Sequence, residues 1–136
     1  MPGPIDALYD DLSRVLGLQD LPREANGSVQ LTIGGDVSVV LFGRDDRTLL
    51  IACPVGQLPD DLDRGTALLL LRRNLYDSKL TPFCLGCDAN ETLIFWGTVT
   101  IEGASGEGLA GLLDTVAAEV GRIRADAGIV SPLSDP

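Results

Sequence analysis

Apolar residues at Ile5, Leu8, Leu12, Val15 and Leu16 follow Pro4 at helical spacing, with Asp6, Asp10 and Asp11 mostly on the wet side and Gly17 as a stop. A polar connection from Leu18 to Gly27, broken by Pro22, leads to a change of period. Val29, Leu31 and Ile33 alternate with Ser28, Gln30 and Thr32, as in a half-buried strand. Gly34-Gly35-Asp36 turns the chain into a second strand, Val37 to Phe42. There Val37, Val39 and Leu41 form one face, and Val40 and Phe42 make the other face apolar too. The charged tip Arg44-Asp45-Asp46-Arg47 leads into a third strand, Thr48 to Val55, ended by Pro54 and Gly56. A helix is predicted over Leu62 to Tyr76, with Asp60 and Asp61 at its start and Arg72 and Arg73 near its end. Beyond Asp77 to Thr81 come a short strand from Phe83 to Cys87, a turn over Asp88 to Glu91 and a strand from Thr92 to Ile101. Leu109, Leu112, Leu113, Val116, Val120 and Ile123 then form the apolar stripe of a last helix capped by Ser105.

The predicted fold is α+β: a five-stranded antiparallel sheet with three helices, in the order α-β-β-β-α-β-β-α. Residues 1–127 are expected to form one domain and 128–136 a disordered tail. Leu68, Leu69, Leu70 and Leu71 cannot all face a single sheet, because four successive helical positions point to all sides. A second copy of the chain is the expected cover, making the protein a homodimer.

Composition narrows the function. The 136 residues carry a net charge of −10, which argues against nucleic acid or an anionic membrane as partner, and 45% hydrophobic residues are too many for a disordered chain. No signal or membrane-spanning pattern opens the sequence, so a cytosolic setting is expected. There Asn26-Gly27-Ser28 and Asn90-Glu91-Thr92 are chance matches to the glycosylation pattern, and Cys53, Cys84 and Cys87 are expected to be small buried fillers. The absence of histidine removes the common triads and leaves Cys84-Leu85-Gly86-Cys87 only Cys53 and carboxylates as further zinc ligands, and the pair lacks the helix start a redox site needs. Asp61-Leu62-Asp63-Arg64-Gly65 begins like a calcium loop but has Arg72 where the bidentate acid belongs. Gly106-Glu107-Gly108-Leu109-Ala110-Gly111 matches G-x-G-x-x-G, yet too little chain follows for a returning parallel strand. No catalytic residue, cofactor or metal is expected.

The order of elements, the acidity and the run LLLLRRNLYDSKLTPFCLGCDANETLIFWGTV together resemble the class I chaperones of bacterial type III secretion, typified by the Tir chaperone. A Leu-rich helix ends in Asn74-Leu75-Tyr76. An apolar strand, the turn Asp88-Ala89-Asn90 and a strand bearing Leu93 to Trp96 follow. The likeness runs from about Ile5 to Ala127, and it departs from the family at Ser78, Lys79 and Pro82, where Gly is frequent. It implies a bacterial cytoplasmic homodimer that binds the extended N-terminal segment of a secreted effector, consumes no ATP itself and is not an enzyme.

On this reading the dimer interface comprises Leu68, Leu69, Leu70, Leu71, Leu75, Tyr76 and Phe83. The partner surface draws on Leu12 and Leu16 of the first helix and on Val29, Leu31, Ile33, Val40, Phe42, Leu49, Ile94 and Trp96 of the sheet. Apolar side chains on both sheet faces, Leu50 among them, exceed what three helices can cover. The strand Ser28 to Ile33 is the candidate edge for an added strand. Two other classes fit the same residues: a regulatory adaptor that sequesters another protein, and a small-molecule binder or enzyme using the cysteines or the Gly-rich turn.

Overall fold

The computed structural model describes residues 3–18, 21, 23–45, 47–75 and 83–129. Its elements are α1 (Pro4–Val15), β1 (Val29–Ile33), β2 (Val37–Gly43), β3 (Thr48–Gln57), α2 (Arg64–Arg72), β4 (Cys84–Cys87), β5 (Thr92–Thr100) and α3 (Gly106–Ala127). The sheet order is β1-β2-β3-β5-β4 and every pairing is antiparallel. The expected fold and element order are therefore found. Tyr76, the connection Asp77 to Thr81 and the tail from residue 130 lie outside the described residues.

Strand parity builds the core. Val29 and Leu31 of β1, Val39 and Leu41 of β2, Leu49, Ile51, Cys53 and Val55 of β3 and Phe95 of β5 all point to one face. Leu12 of α1 and Leu113, Val116, Val120 and Ile123 of α3 cover that face and are fully buried with it. Burying a side chain of this size stabilises by about 1.5–3 kcal/mol, so this layer supplies most of the driving force.

The helix starts are fixed by specific acceptors. In α1 the Asp6 carboxylate accepts from the Gly3 N–H at 3.0 Å, and in α3 the Ser105 hydroxyl accepts from Gly108 at 3.0 Å. The first turn of α2 is capped by Asp63, which accepts from the Thr66 N–H at 2.7 Å, and not by Asp60 or Asp61. The helix thus starts two residues later than the leucine pattern suggests, and Asp63 serves as a cap where a calcium loop would need a ligand.

Gly106 opens α3 against α1. Its N–H donates to the Asp11 carboxylate at 2.6 Å, and a Cβ there would stand 2.6 Å from the Asp11 carbonyl carbon. The first glycine of the G-x-G-x-x-G match therefore serves close helix contact, as a bland helix start would. Gly106→Ala should cost about 1–3 kcal/mol, read as a lowered midpoint in denaturant.

Hydrogen bonding to a backbone N–H, and secondarily to an arginine or a threonine hydroxyl, lowers the carboxyl pKa of Asp6, Asp11 and Asp63. A folded value below the unfolded one contributes stability above the unfolded pKa and loses it as pH falls through the folded value. Thermal stability should therefore decline below about pH 4, where free aspartate titrates, and Asp11→Asn should flatten that decline. Melting temperatures scanned from neutral to acid pH check this.

Candidate partner-binding surfaces

Among the described residues, two apolar surfaces remain outside the core. The first lies on α2. Leu70 alone of the four leucines turns inward and is 6% exposed, while Leu68 is 38%, Leu69 39%, Leu71 63% and Leu75 57% exposed. A groove of about 260 Å³ runs beside it, lined among others by Leu58, Leu62, Leu71 and Leu85. Arg73 pairs with Glu119 and Asp126 of α3, which fixes the end of α2 and with it the direction of the leucine face.

Two expected interface residues are core instead. Leu70 packs beneath its helix. Phe83 is 4% exposed, because its ring lies where a Cβ on Gly97 would come within 2.8 Å and meets the Phe95 ring at 5.4 Å between centroids. The glycine opposite makes room for the phenylalanine to turn in.

The second surface is the sheet face away from α1 and α3. Register aligns Val40, Ala52, Trp96 and Cys84 in one row across four strands, with Phe42 and Leu50 beside it on one side and Pro54, Ile94 and Gly86 on the other. Val40, Phe42, Leu50 and Ile94 are half-buried, and Trp96 is 40% exposed. A groove of about 340 Å³ runs between Leu50, Ala52, Ile94 and Trp96 and the end of β4. The Trp96 indole lies over Gly86, where a Cβ would stand 3.4 Å from its Nε1. No residue in any of the five strands is charged. A solvent-facing sheet normally carries charge on its wet side, so this face has the composition of a surface that receives a cover.

Of the expected partner residues, Val40, Phe42, Ile94 and Trp96 come together here, and Leu16 is an exposed residue just past α1 at 36%. Leu12, Val29, Leu31 and Leu49 do not belong to a surface. They point into the helix-covered face and are at most 9% exposed. Ile33 also points to that face and is half-buried at the strand end. Ala52 and Pro54 were missed. Their parity with Leu50 was the available signal, and small or imino side chains gave no hydrophobic emphasis to it.

Among the cysteines only Cys53 is a fully buried filler; Cys84 is half-buried on the outer face and Cys87 is exposed. Burial pushes the Cys53 thiol up to about 12, so it stays protonated at neutral pH. Alkylation of the folded protein with iodoacetamide should label Cys87 first and leave Cys53 unmodified, read by peptide mass. Among the described residues no group of three potential ligands could hold a metal, and no helix is long and apolar enough to cross a membrane.

The Tir chaperone protein (CesT) family model matches residues 8–124. The chain belongs to that family. By sequence, no curated protein matches it. Among solved structures, the Yersinia pestis type III secretion chaperone SycH, in complex with a stable fragment of YscM2, superimposes with a TM-score of 0.72 at 22% identity. That match covers 86% of this chain and 97% of SycH. The ExoU-SpcU complex of the Pseudomonas aeruginosa type III secretion system gives 0.71 at 23% identity, covering 88% and 97%. The HopA1-SchA chaperone-effector complex gives 0.73 at 19%, covering 90% and 94%. At these identities the likeness establishes a shared fold.

Proposed function

We propose that this protein is a type III secretion chaperone that binds an extended segment of a secreted effector and keeps it soluble and competent for export. The observation that carries the reading is the outer sheet face: uncharged across all five strands, apolar at its centre and grooved beside Trp96. An extended segment fits such a face because alternate side chains can enter the grooves while the rest stay in water. Membership of the Tir chaperone family, and a fold shared with a type III secretion chaperone and with a chaperone-effector complex, support it. The function is binding without catalysis, and the setting is the bacterial cytoplasm.

The working unit of this reading is a homodimer joined through α2. Leu68, Leu69, Leu71 and Leu75 supply its apolar contact, and Tyr76 belongs to the same proposed interface. A stable interface buries about 800 Å² per partner, so the leucine face and its adjoining groove form one part of it.

Co-production with the product of the neighbouring gene tests the function. The expected result is a soluble complex that survives gel filtration, in which the N-terminal segment of the partner is protected from protease. A partner that remains equally soluble and equally cleaved without this protein would contradict the reading.

A further inference from the structure

Arg124 is a charged side chain in a core position. It lies on the buried stripe of α3 between Ile123 and Ala127, is 6% exposed, and directs its guanidinium at main chain. Its Nε–H donates to the Val55 carbonyl at 2.8 Å, Nη1 donates to the Asp36 carbonyl at 3.1 Å, and Nη2 reaches the Pro54 carbonyl at 3.4 Å. The Asp36 carboxylate is farther off, at 3.9 Å, and its side chain is 59% exposed, so carbonyl oxygens carry most of the compensation for the buried charge. Taking an arginine out of water is costly, and an apolar residue of similar volume often serves stability as well. The reason for the arginine therefore lies in what it holds.

What it holds is an irregularity in β3. The β3·β5 register passes from Pro54 opposite Ile94 to Gly56 opposite Leu93, so Val55 is an extra residue with no partner on β5. Gly56 follows at a φ of 144°, a conformation open to glycine. One extra residue reverses the alternation of the strand beyond it. Before the bulge, Leu50, Ala52 and Pro54 face outward and Leu49, Ile51, Cys53 and Val55 inward. After it, Gly56 joins the inward side opposite buried Leu93, Gln57 turns outward opposite Thr92, and Leu58 comes inward, half-buried against the core. A regular strand would turn Gln57 in and Leu58 out. Leu58 lines the groove beside α2, and its N–H continues the ladder to the Glu91 carbonyl at 2.9 Å.

We propose that Arg124 fixes the register of β3 beyond Pro54 and so positions the groove beside α2. A guanidinium suits the task because its donors form one rigid fork, which holds carbonyls of two segments, the bulge and the turn before β2, at a fixed spacing. A strand slipped by one residue would move the Val55 carbonyl away and leave a buried cation short of an acceptor, and that penalty selects the native register. Arg124 acts on the groove through the main chain of β3, as a positioning residue. That a second copy fills the groove rests on the dimeric reading of the protein; the anchored bulge does not.

Nuclear magnetic resonance on the native protein and on Arg124→Lys tests this. Lysine keeps the charge but offers a single nitrogen in place of the fork. In the native protein the Arg124 Nε–H should exchange at least about tenfold more slowly than that of exposed Arg72. In folded Arg124→Lys, exchange at the Leu58 amide should speed at least about tenfold beyond the global loss of stability read in denaturant, while the Ile51 amide follows the global loss alone. The cross-strand contact between Gly56 and Leu93 should weaken with it, and that between Ala52 and Trp96 should persist. A merely structural role for Arg124 would move Leu58 and Ile51 together. Arg124→Gln, which has no charge to leave buried and too short a reach for both segments, should show the same local excess. Leu58 exchange that only tracks the global loss in either folded variant, or a native Nε–H as labile as that of Arg72, would overturn the proposal. If neither variant folds, the native Nε–H decides by itself. A native protein found to be monomeric contradicts the dimeric reading and not the anchored bulge, because the Nε–H and the Gly56–Leu93 contact lie within one chain.

Discussion

Leu71→Asp should give a folded monomer. Leu71 is the most exposed of the α2 leucines at 63%, so it contributes little to the core of its own chain, and a carboxylate there is solvated in the monomer. In the proposed dimer the same carboxylate would be buried against the leucines of a second copy. Truncating or charging a central apolar contact costs about 3 kcal/mol or more, which weakens association by upwards of a hundredfold. Light scattering at low micromolar concentration should read twice the chain mass for the native protein and one chain mass for the variant, with unchanged circular dichroism. Leu70→Asp is the contrasting case: Leu70 is buried within its own chain, so that substitution should unfold the protein and not simply divide it.

Trp96→Asp should abolish capture of the partner while leaving the fold intact. Trp96 stands at the centre of the uncharged row on the outer face and lines its groove, yet it is 40% exposed in the free protein. Loss of a large aromatic anchor costs about 2–4 kcal/mol of binding, enough to turn a submicromolar complex into one that does not survive purification. Val40→Asp, in the same row, should act in the same direction by leaving a charge desolvated under the bound segment. Leu49→Asp, one residue from Leu50 but on the opposite face, should instead unfold the protein, because Leu49 is fully buried under the helices. Titration of the partner segment alongside thermal melts separates the two outcomes.

That contrast between Leu49 and Leu50 marks the limit of what the sequence conveys. Periodicity placed all three helices and all five strands, because each element's own apolar spacing is a local property. The side of the sheet on which α1 and α3 pack is a property of the whole chain. β2 and β3 are apolar on both faces, so Val39 and Val40, or Leu49 and Leu50, look alike until the helices are in place. Phe83 shows the same limit: its inward turn depends on Gly97, fourteen positions away and on another strand. Within α2 the all-round leucine pattern did carry its message, since only one of the four is buried in the single chain. Asn74 was legible as part of a family-like signature but not as the side chain whose amide takes both main-chain groups of Leu85. Its partner is a main-chain pair at Leu85, and main-chain groups have no sequence.

Calorimetric titration of the partner's N-terminal segment, repeated at several temperatures, tests the central claim most directly. A disordered segment that lays its apolar side chains on the outer sheet face removes much apolar surface from water and orders itself in doing so. The account predicts saturable binding with a large negative heat-capacity change and an unfavourable entropy. It predicts further that both vanish with Trp96→Asp in the folded protein. Binding with a heat-capacity change near zero, or binding unaltered in that variant, would contradict it.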